Sequence, residues 1–203
     1  MKSQRGFTLV ELLISVTILA VISSGIFTLI VKNQQRYSAE EDYAVAVQNA
    51  RAALDLVGRY VRQAGNNPQR AAFVPFSFDN STLTIRSDLT GSRGGGGLDS
   101  TGDPDGLLTA SYETITIRYD RNAKQLLLNV GLGEDVIANN VDDFQVSFAD
   151  NAGAVTADMN NVYSITITLK ALSSKNDPQT GKPNGITLST SVFVRAKSYT
   201  PYS

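Results

Sequence analysis

From Phe7 to Val31 the chain is one unbroken apolar block in which Glu11 is the only charged side chain. Roughly 25 residues wound as a helix, at about 1.5 Å per residue, exceed the ~30 Å hydrocarbon core of a bilayer, so the block is read as a membrane-spanning helix. A buried helix of a water-soluble domain is the alternative. The hydroxyls of Thr8, Ser15, Thr17, Ser23, Ser24 and Thr28 fit a span, because each can bond back to a carbonyl of the preceding turn. Ser23-Ser24-Gly25 is the weakest stretch, and a bend or local melting is expected there.

The rest of the composition narrows the chemistry. With 203 residues and 42% hydrophobic content there is enough chain for one globular unit with a core, plus the apolar appendage. Lys and Arg total 18 against 19 Asp and Glu, so the formal charge of -1 gives no general pull towards nucleic acid or anionic lipid. The sequence contains no Cys and no His. Disulfides, thiolate nucleophiles and sulfur-ligated metals are excluded, and the most common proton shuttle and metal ligand is missing. A serine or threonine nucleophile would need a lysine base, and none of Lys124, Lys170, Lys175, Lys182 or Lys197 sits in a recognisable motif. The chain is read as non-enzymatic.

Ahead of the block, Met1-Lys2-Ser3-Gln4-Arg5-Gly6 carries two positive charges and no negative one. Positive flanks stay in the cytoplasm, so Lys2 and Arg5 predict a single-pass N-in, C-out orientation with the bulk of the chain outside. An ordinary secretory leader is cut behind its apolar stretch, after small residues, whereas here that position reads Lys32-Asn33-Gln34-Gln35-Arg36.

The junction Arg5-Gly6-Phe7-Thr8-Leu9-Val10-Glu11-Leu12-Leu13 resembles the processing signature of type IV prepilins and the related pseudopilins. The resemblance implies that a membrane peptidase cuts after Gly6, that residues 1–6 are a cleaved leader, and that Phe7 becomes a methylated N-terminus. It also implies an assembly role for Glu11. Physical reasoning supports that role independently: a lone carboxylate in a membrane helix is costly unless paired. Its natural partner is the free amine of Phe7 on a neighbouring subunit, a contact that would set axial register between helices. A carboxylate close enough to the interface to reach water is the plainer alternative.

After Val31 the pattern becomes amphipathic. Tyr43, Val47, Ala50, Leu54, Val57, Val61 and Ala64 form an apolar seam at helical spacing, with Arg51, Asp55, Arg59 and Arg62 off it. One helix is predicted from about Phe7 to Gln63, with residues 7–31 its membrane half and 32–64 its amphipathic half, ended by Gly65-Asn66-Asn67-Pro68. Residues 65–203 then read as a β-rich head. Strands are expected at Thr82–Arg86, at Tyr112–Tyr119 turning through Asp120-Arg121-Asn122-Ala123 into Gln125–Val130, and around Phe144, Val146 and Phe148. Two more carry Tyr163, Ile165, Ile167, Leu169 and Ala171, and Ile186, Leu188, Val192, Val194 and Ala196, with Ser173–Gly185 a long exposed loop between them. The fold class is α+β, a long helix packed on an antiparallel sheet, which is the pilin architecture.

Weaker resemblance continues past the junction. Ala50-Arg51-Ala52-Ala53-Leu54, Tyr60-Val61-Arg62-Gln63-Ala64-Gly65 and Ser191-Val192-Phe193-Val194-Arg195-Ala196 are similar to PilW-type minor pilins, and next to the J-type minor pseudopilins of type II secretion. That resemblance implies a place in the inner membrane with a periplasmic head, and a cell-surface pilus after assembly. The partners it implies are other minor pilins, the major pilin, the prepilin peptidase and the inner-membrane assembly platform.

Other candidate sites read more plainly. Gly91-Ser92-Arg93-Gly94-Gly95-Gly96-Gly97 lacks the ending of a phosphate-binding loop and is taken as a flexible loop. Asp99, Asp103 and Asp105 could offer oxygen ligands to Ca²⁺, although a solvated turn explains the same residues; otherwise no cofactor is expected. Glu40-Glu41-Asp42, Glu134-Asp135 and Asp142-Asp143 are neighbours whose side chains diverge, so they are read as solvated. Arg51, Arg59 and Arg62 lack the aromatic interleaving of a nucleic-acid surface, and helix-surface salt bridges are expected for them instead. Three functions follow: a minor pilin that helps initiate or assemble a type IV pilus, a minor pseudopilin of a type II secretion tip complex, and a membrane-anchored binding module for adhesion, DNA or calcium.

Overall fold

The computed structural model describes residues 7–68, 70–79, 81–89 and 104–194. Its first element, α1, runs from Leu9 to Gln63, 55 residues or about 82 Å at 1.5 Å per residue. Three of the six hydroxyls of the apolar half bond back to the preceding turn, Ser15 Oγ donating to Glu11 O at 2.8 Å, Thr17 Oγ1 to Leu13 O at 2.8 Å and Thr28 Oγ1 to Ser24 O at 2.9 Å, while Thr8 caps the helix instead. Ser23-Ser24-Gly25 is helical without a break, so the local melting expected there does not occur; nothing but the helix itself approaches Gly25.

The seam is buried from Ala50 to Ala64, with Ala50, Ala53, Leu54, Val57 and Val61 facing the head. The helix stops at Gln63, and Ala64 turns out of it at φ -56°, ψ 141°. Gly65 has φ +74°, a left-handed conformation open to glycine, and its N–H donates to Arg86 O at 2.9 Å. Asn66 adds a reciprocal tie: Asp88 N donates to Asn66 O at 2.8 Å, and Asn66 Nδ2 donates to Asp88 O at 2.6 Å.

Among the described residues eight strands follow, all antiparallel: β1 Phe76–Asp79, β2 Thr82–Arg86, β3 Thr114–Asp120, β4 Gln125–Asn129, β5 Glu134–Ala138, β6 Val141–Ala149, β7 Ser164–Asn176 and β8 Pro183–Phe193. They form two sheets, a five-stranded meander β1-β2-β3-β4-β5 and a three-stranded one β6-β7-β8, rather than one sheet. The break falls at Asn139-Asn140, where Asn140 takes φ +56° and the chain leaves β5 without pairing to β6.

Pairing of Phe144 with Leu169, Val146 with Ile167 and Phe148 with Ile165 aligns the apolar residues of β6 and β7 on one face. Ile165 opposite Val192 and Leu169 opposite Leu188 extend that face to β8, where α1 packs on it. The larger sheet contributes Phe76, Leu83, Ile85, Ile115, Ile117 and Leu126 to the same core. Phe76 meets Phe148 with ring centroids 6.2 Å apart, and Phe78 meets Phe144 edge-on at 6.5 Å. Tyr119 Oη adds a polar join, donating to Asp142 O at 2.8 Å.

The loop expected over Ser173–Gly185 is shorter than the sequence suggests. β7 continues to Asn176, β8 starts at Pro183, and Asn176 pairs with Pro183. Only residues 177–182 turn, organised by Asp177 Oδ1, which accepts from Gln179 N at 2.6 Å and Thr180 N at 3.1 Å.

Candidate functional site: the N-terminal junction and the face of the helix

Phe7 and Thr8 precede the helix, and Thr8 is extended at φ -80°, ψ 150°. Thr8 and Glu11 close a reciprocal cap. Thr8 Oγ1 accepts from Glu11 N at 3.3 Å, while Glu11 Oε2 accepts from Thr8 N and from Thr8 Oγ1, each at 3.0 Å. Two of the donors that a helix start leaves unpaired are thereby satisfied, and the carboxylate sits at the positive end of the helix dipole. Among the described residues no donor is bonded to Glu11 Oε1. Thr8 was not singled out from sequence, although Thr8-x-x-Glu11 is the signature of this cap.

Every residue from Phe7 to Ile30 is exposed in the single chain, with Phe7 75% and Phe27 68% accessible. Such a surface, long and apolar enough to cross a membrane, is stable only with a non-aqueous cover. Lys2, Arg5 and Gly6 lie outside the described residues.

Where the helix leaves this region, the head clasps it. Asp42 Oδ1 accepts from Ser174 Oγ at 2.6 Å, Asp42 Oδ2 accepts from Lys175 N at 2.9 Å, and Lys175 Nζ donates to Ser38 Oγ at 2.6 Å. The Ser174 hydroxyl and then the Lys175 N–H hold the Asp42 carboxyl below its ordinary value. Asp42 is thus a structural ligand of β7 rather than a solvated acid. Glu134 and Asp142 also differ from the solvated reading: Glu134 pairs with Arg118 at 2.6 Å and Asp142 with Lys170 at 2.7 Å. Glu134 shares the Arg118 guanidinium with Asp120, whose carboxylate lies 3.4 Å from that guanidinium.

In the acidic loop, Asp99 and Asp103 lie outside the described residues, as does the glycine-rich run before them. Asp105 Oδ1 accepts from Leu107 N at 2.8 Å, capping its own turn. Sequence reasoning passed over the two buried carboxylates beside it. Asp88 accepts from Gly106 N at 2.9 Å, and Glu113 accepts from Ala110 N at 2.8 Å, so each satisfies loop amides inside the protein. Among the described residues, the helix-surface salt bridges expected of Arg51, Arg59 and Arg62 are not formed. The ion pairs among the described residues involve Arg118, Lys124 and Lys170 only.

A capped, uncovered apolar helix of bilayer length joined to an antiparallel head gives an α+β architecture consistent with the pilin fold. Residues 1–30 match a family model described as the prokaryotic N-terminal methylation motif, the segment found in type IV prepilin-like proteins. Among curated proteins the chain has no match. The methylation motif supports a type IV pilin-like or pseudopilin protein.

Proposed function

We propose that the chain is a minor pilin-like subunit, anchored by α1, cut between Gly6 and Phe7 by a prepilin peptidase, methylated at Phe7, and used in initiating or assembling a type IV pilus. The observation that carries this reading is the pairing of the methylation motif with an uncovered apolar half-helix, residues 7–30, whose one charged group, Glu11, lies a single turn from the cut. Lys2 and Arg5 hold the leader on the cytoplasmic side, leaving the head in the periplasm. The Phe7 amine freed by the cut then pairs with Glu11 of a neighbouring subunit, leaving the Thr8 bonds at Oε2 in place. Other minor pilins, the major pilin and the inner-membrane assembly platform are its partners. A Ca²⁺ held by Asp99, Asp103 and Asp105 is a subsidiary possibility of the head.

Mass spectrometry of the membrane-extracted chain tests this directly, with a methylated Phe7 as first residue expected; a retained Met1 overturns it. Glu11→Ala is expected to leave cutting and insertion intact and to reduce incorporation into filaments severely. The same motif also supports a minor pseudopilin of type II secretion. Deleting the gene separates the two: loss of surface filaments marks the pilus, and loss of exoprotein secretion with filaments intact marks the secretion machine.

A further inference from the structure

The hairpin of β7 and β8 reaches down beside α1, past the end of the buried seam. Ala39 is only 4% exposed there, although the rest of the seam starts at Ala50. The bonds of Ser174 and Lys175 to Asp42 and Ser38 fix the hairpin at this level. Between the two elements lies a cleft of about 120 Å³, lined chiefly by Arg36, Ala39 and Glu40 of α1 and by Asp177, Gln179 and Asn184 of the hairpin. That volume is of the order of the ~150 Å³ that admits a six-carbon ring. With Val31, the last residue of the apolar block, at the hydrocarbon edge, Arg36 stands about 7.5 Å and Glu40 about 13.5 Å beyond it along the axis. The headgroup layer is about 5–8 Å thick on each side of a bilayer, so Arg36 falls within it and Glu40 just outside.

Arg36 and Glu40 are exposed, and among the described residues neither forms an ion pair. Arginine four residues ahead of glutamate is the less favourable order on a helix, so little draws the two charges onto each other. Asp177, opposite them, adds a second negative charge; the amides of Gln179 and Thr180 hold its carboxyl below the ordinary value, and the Arg36 guanidinium adds to this. The cleft is therefore positive at the bilayer side and negative above. A phospholipid with an amine-bearing headgroup presents the complementary order, phosphate next to its glycerol and ammonium further out. We propose that this cleft binds the headgroup of a zwitterionic phospholipid carrying a primary amine, its phosphate on Arg36 and its ammonium on Glu40. A guanidinium grips phosphate through two parallel N–H bonds, and a carboxylate accepts the N–H groups of a primary ammonium. Among the described residues no aromatic ring lines the cleft, so a quaternary ammonium finds no cage there. Bound in this way, the lipid ties the hairpin to the bilayer surface and sets the height of the head. The inference rests on the reading of α1 as a membrane anchor.

The test is native mass spectrometry of the full chain extracted from its membrane and offered phosphatidylethanolamine, phosphatidylcholine and phosphatidylglycerol with identical acyl chains. Phosphatidylethanolamine is expected to give the dominant one-lipid adduct. Arg36→Gln and Glu40→Gln each lower it about tenfold, the effect of losing one hydrogen bond to a charged group, whereas Glu41→Gln, outside the cleft, leaves it unchanged. The double exchange Arg36→Glu with Glu40→Arg keeps the net charge and reverses the polarity, and it too loses the adduct. All of these side chains are exposed, so the head folds in every variant. Equal adducts from the three lipids, an adduct that survives Glu40→Gln, or one retained by the double exchange overturns the proposal. Membrane fractionation is read on the same wild-type cells. A chain absent from the membrane fraction refutes the anchor reading, whereas an anchored chain without preference for the amine lipid refutes this inference alone.

Discussion

Thr8 and Glu11 show how little sequence a helix start needs: one hydroxyl, one carboxylate, three residues apart, each closing on the other's backbone. Asp42 plays a comparable part at longer range, and its protonation has a defined consequence. Its carboxyl is held below the ordinary aspartate value of 3.8 by the Ser174 hydroxyl and the Lys175 N–H. A group with a depressed folded pKa contributes stability above its unfolded pKa and loses it as pH falls through the folded one. The clasp is therefore intact at neutral pH and releases only below pH 3.8. The Lys175 amide resonance followed by NMR is expected to titrate with a midpoint under that value, and in Asp42→Ala to lack the transition. A midpoint above it would remove the clasp from the account.

At the scale of elements, α1 ends as Ala64 swings to ψ 141° and Gly65 follows as a left-handed residue at φ +74° that hands its N–H to Arg86 O. Gly65→Ala is expected to cost about 1 kcal/mol, read by chemical denaturation in detergent micelles. A neutral result would mean that the turn is indifferent to its residue. The helix, its seam and its end were legible in the sequence, because a long run at one period and a glycine-proline stop act locally. β2, β3 and β4 were legible too, through alternation and a turn led by Asp120. β1 was not, since Phe76–Asp79 is only four residues long behind Pro75. β5 was obscured by Glu134 and Asp135 at its start. The far ends of β7 and β8 read as loop because Ser, Asn, Lys and Pro crowd them. β7 is held extended there by its pairing with β8 and by Asp42, a helix residue 132 positions away from Ser174. The candidate site divides the same way: Glu11 stood out as a lone charge, while the roles of Asp42, Asp88 and Glu113 depend on partners brought up by folding.

For the whole molecule, one core serves both sheets and the helix. The joint is aromatic, Phe76 and Phe78 of β1 against Phe148 and Phe144 of β6. Phe76 is 1% exposed, and Phe76→Ala is expected to destabilise the head by about 3–5 kcal/mol, measured as a lowered denaturation midpoint. A loss under about 1 kcal/mol, the scale of an average substitution, would show that the sheets hold together by other means. The division into two sheets was invisible beforehand, because alternation tells which residues face inward but not which strand lies beside which.

The uninterrupted passage of α1 through Ser23-Ser24-Gly25 has a mechanical consequence. With helical structure unbroken from its foot to the globular end, a tilt at one end is carried to the other. Leaning it by about 10° carries the point at Gln63 sideways by roughly 14 Å, so small adjustments deep in the bilayer become large sweeps at the top.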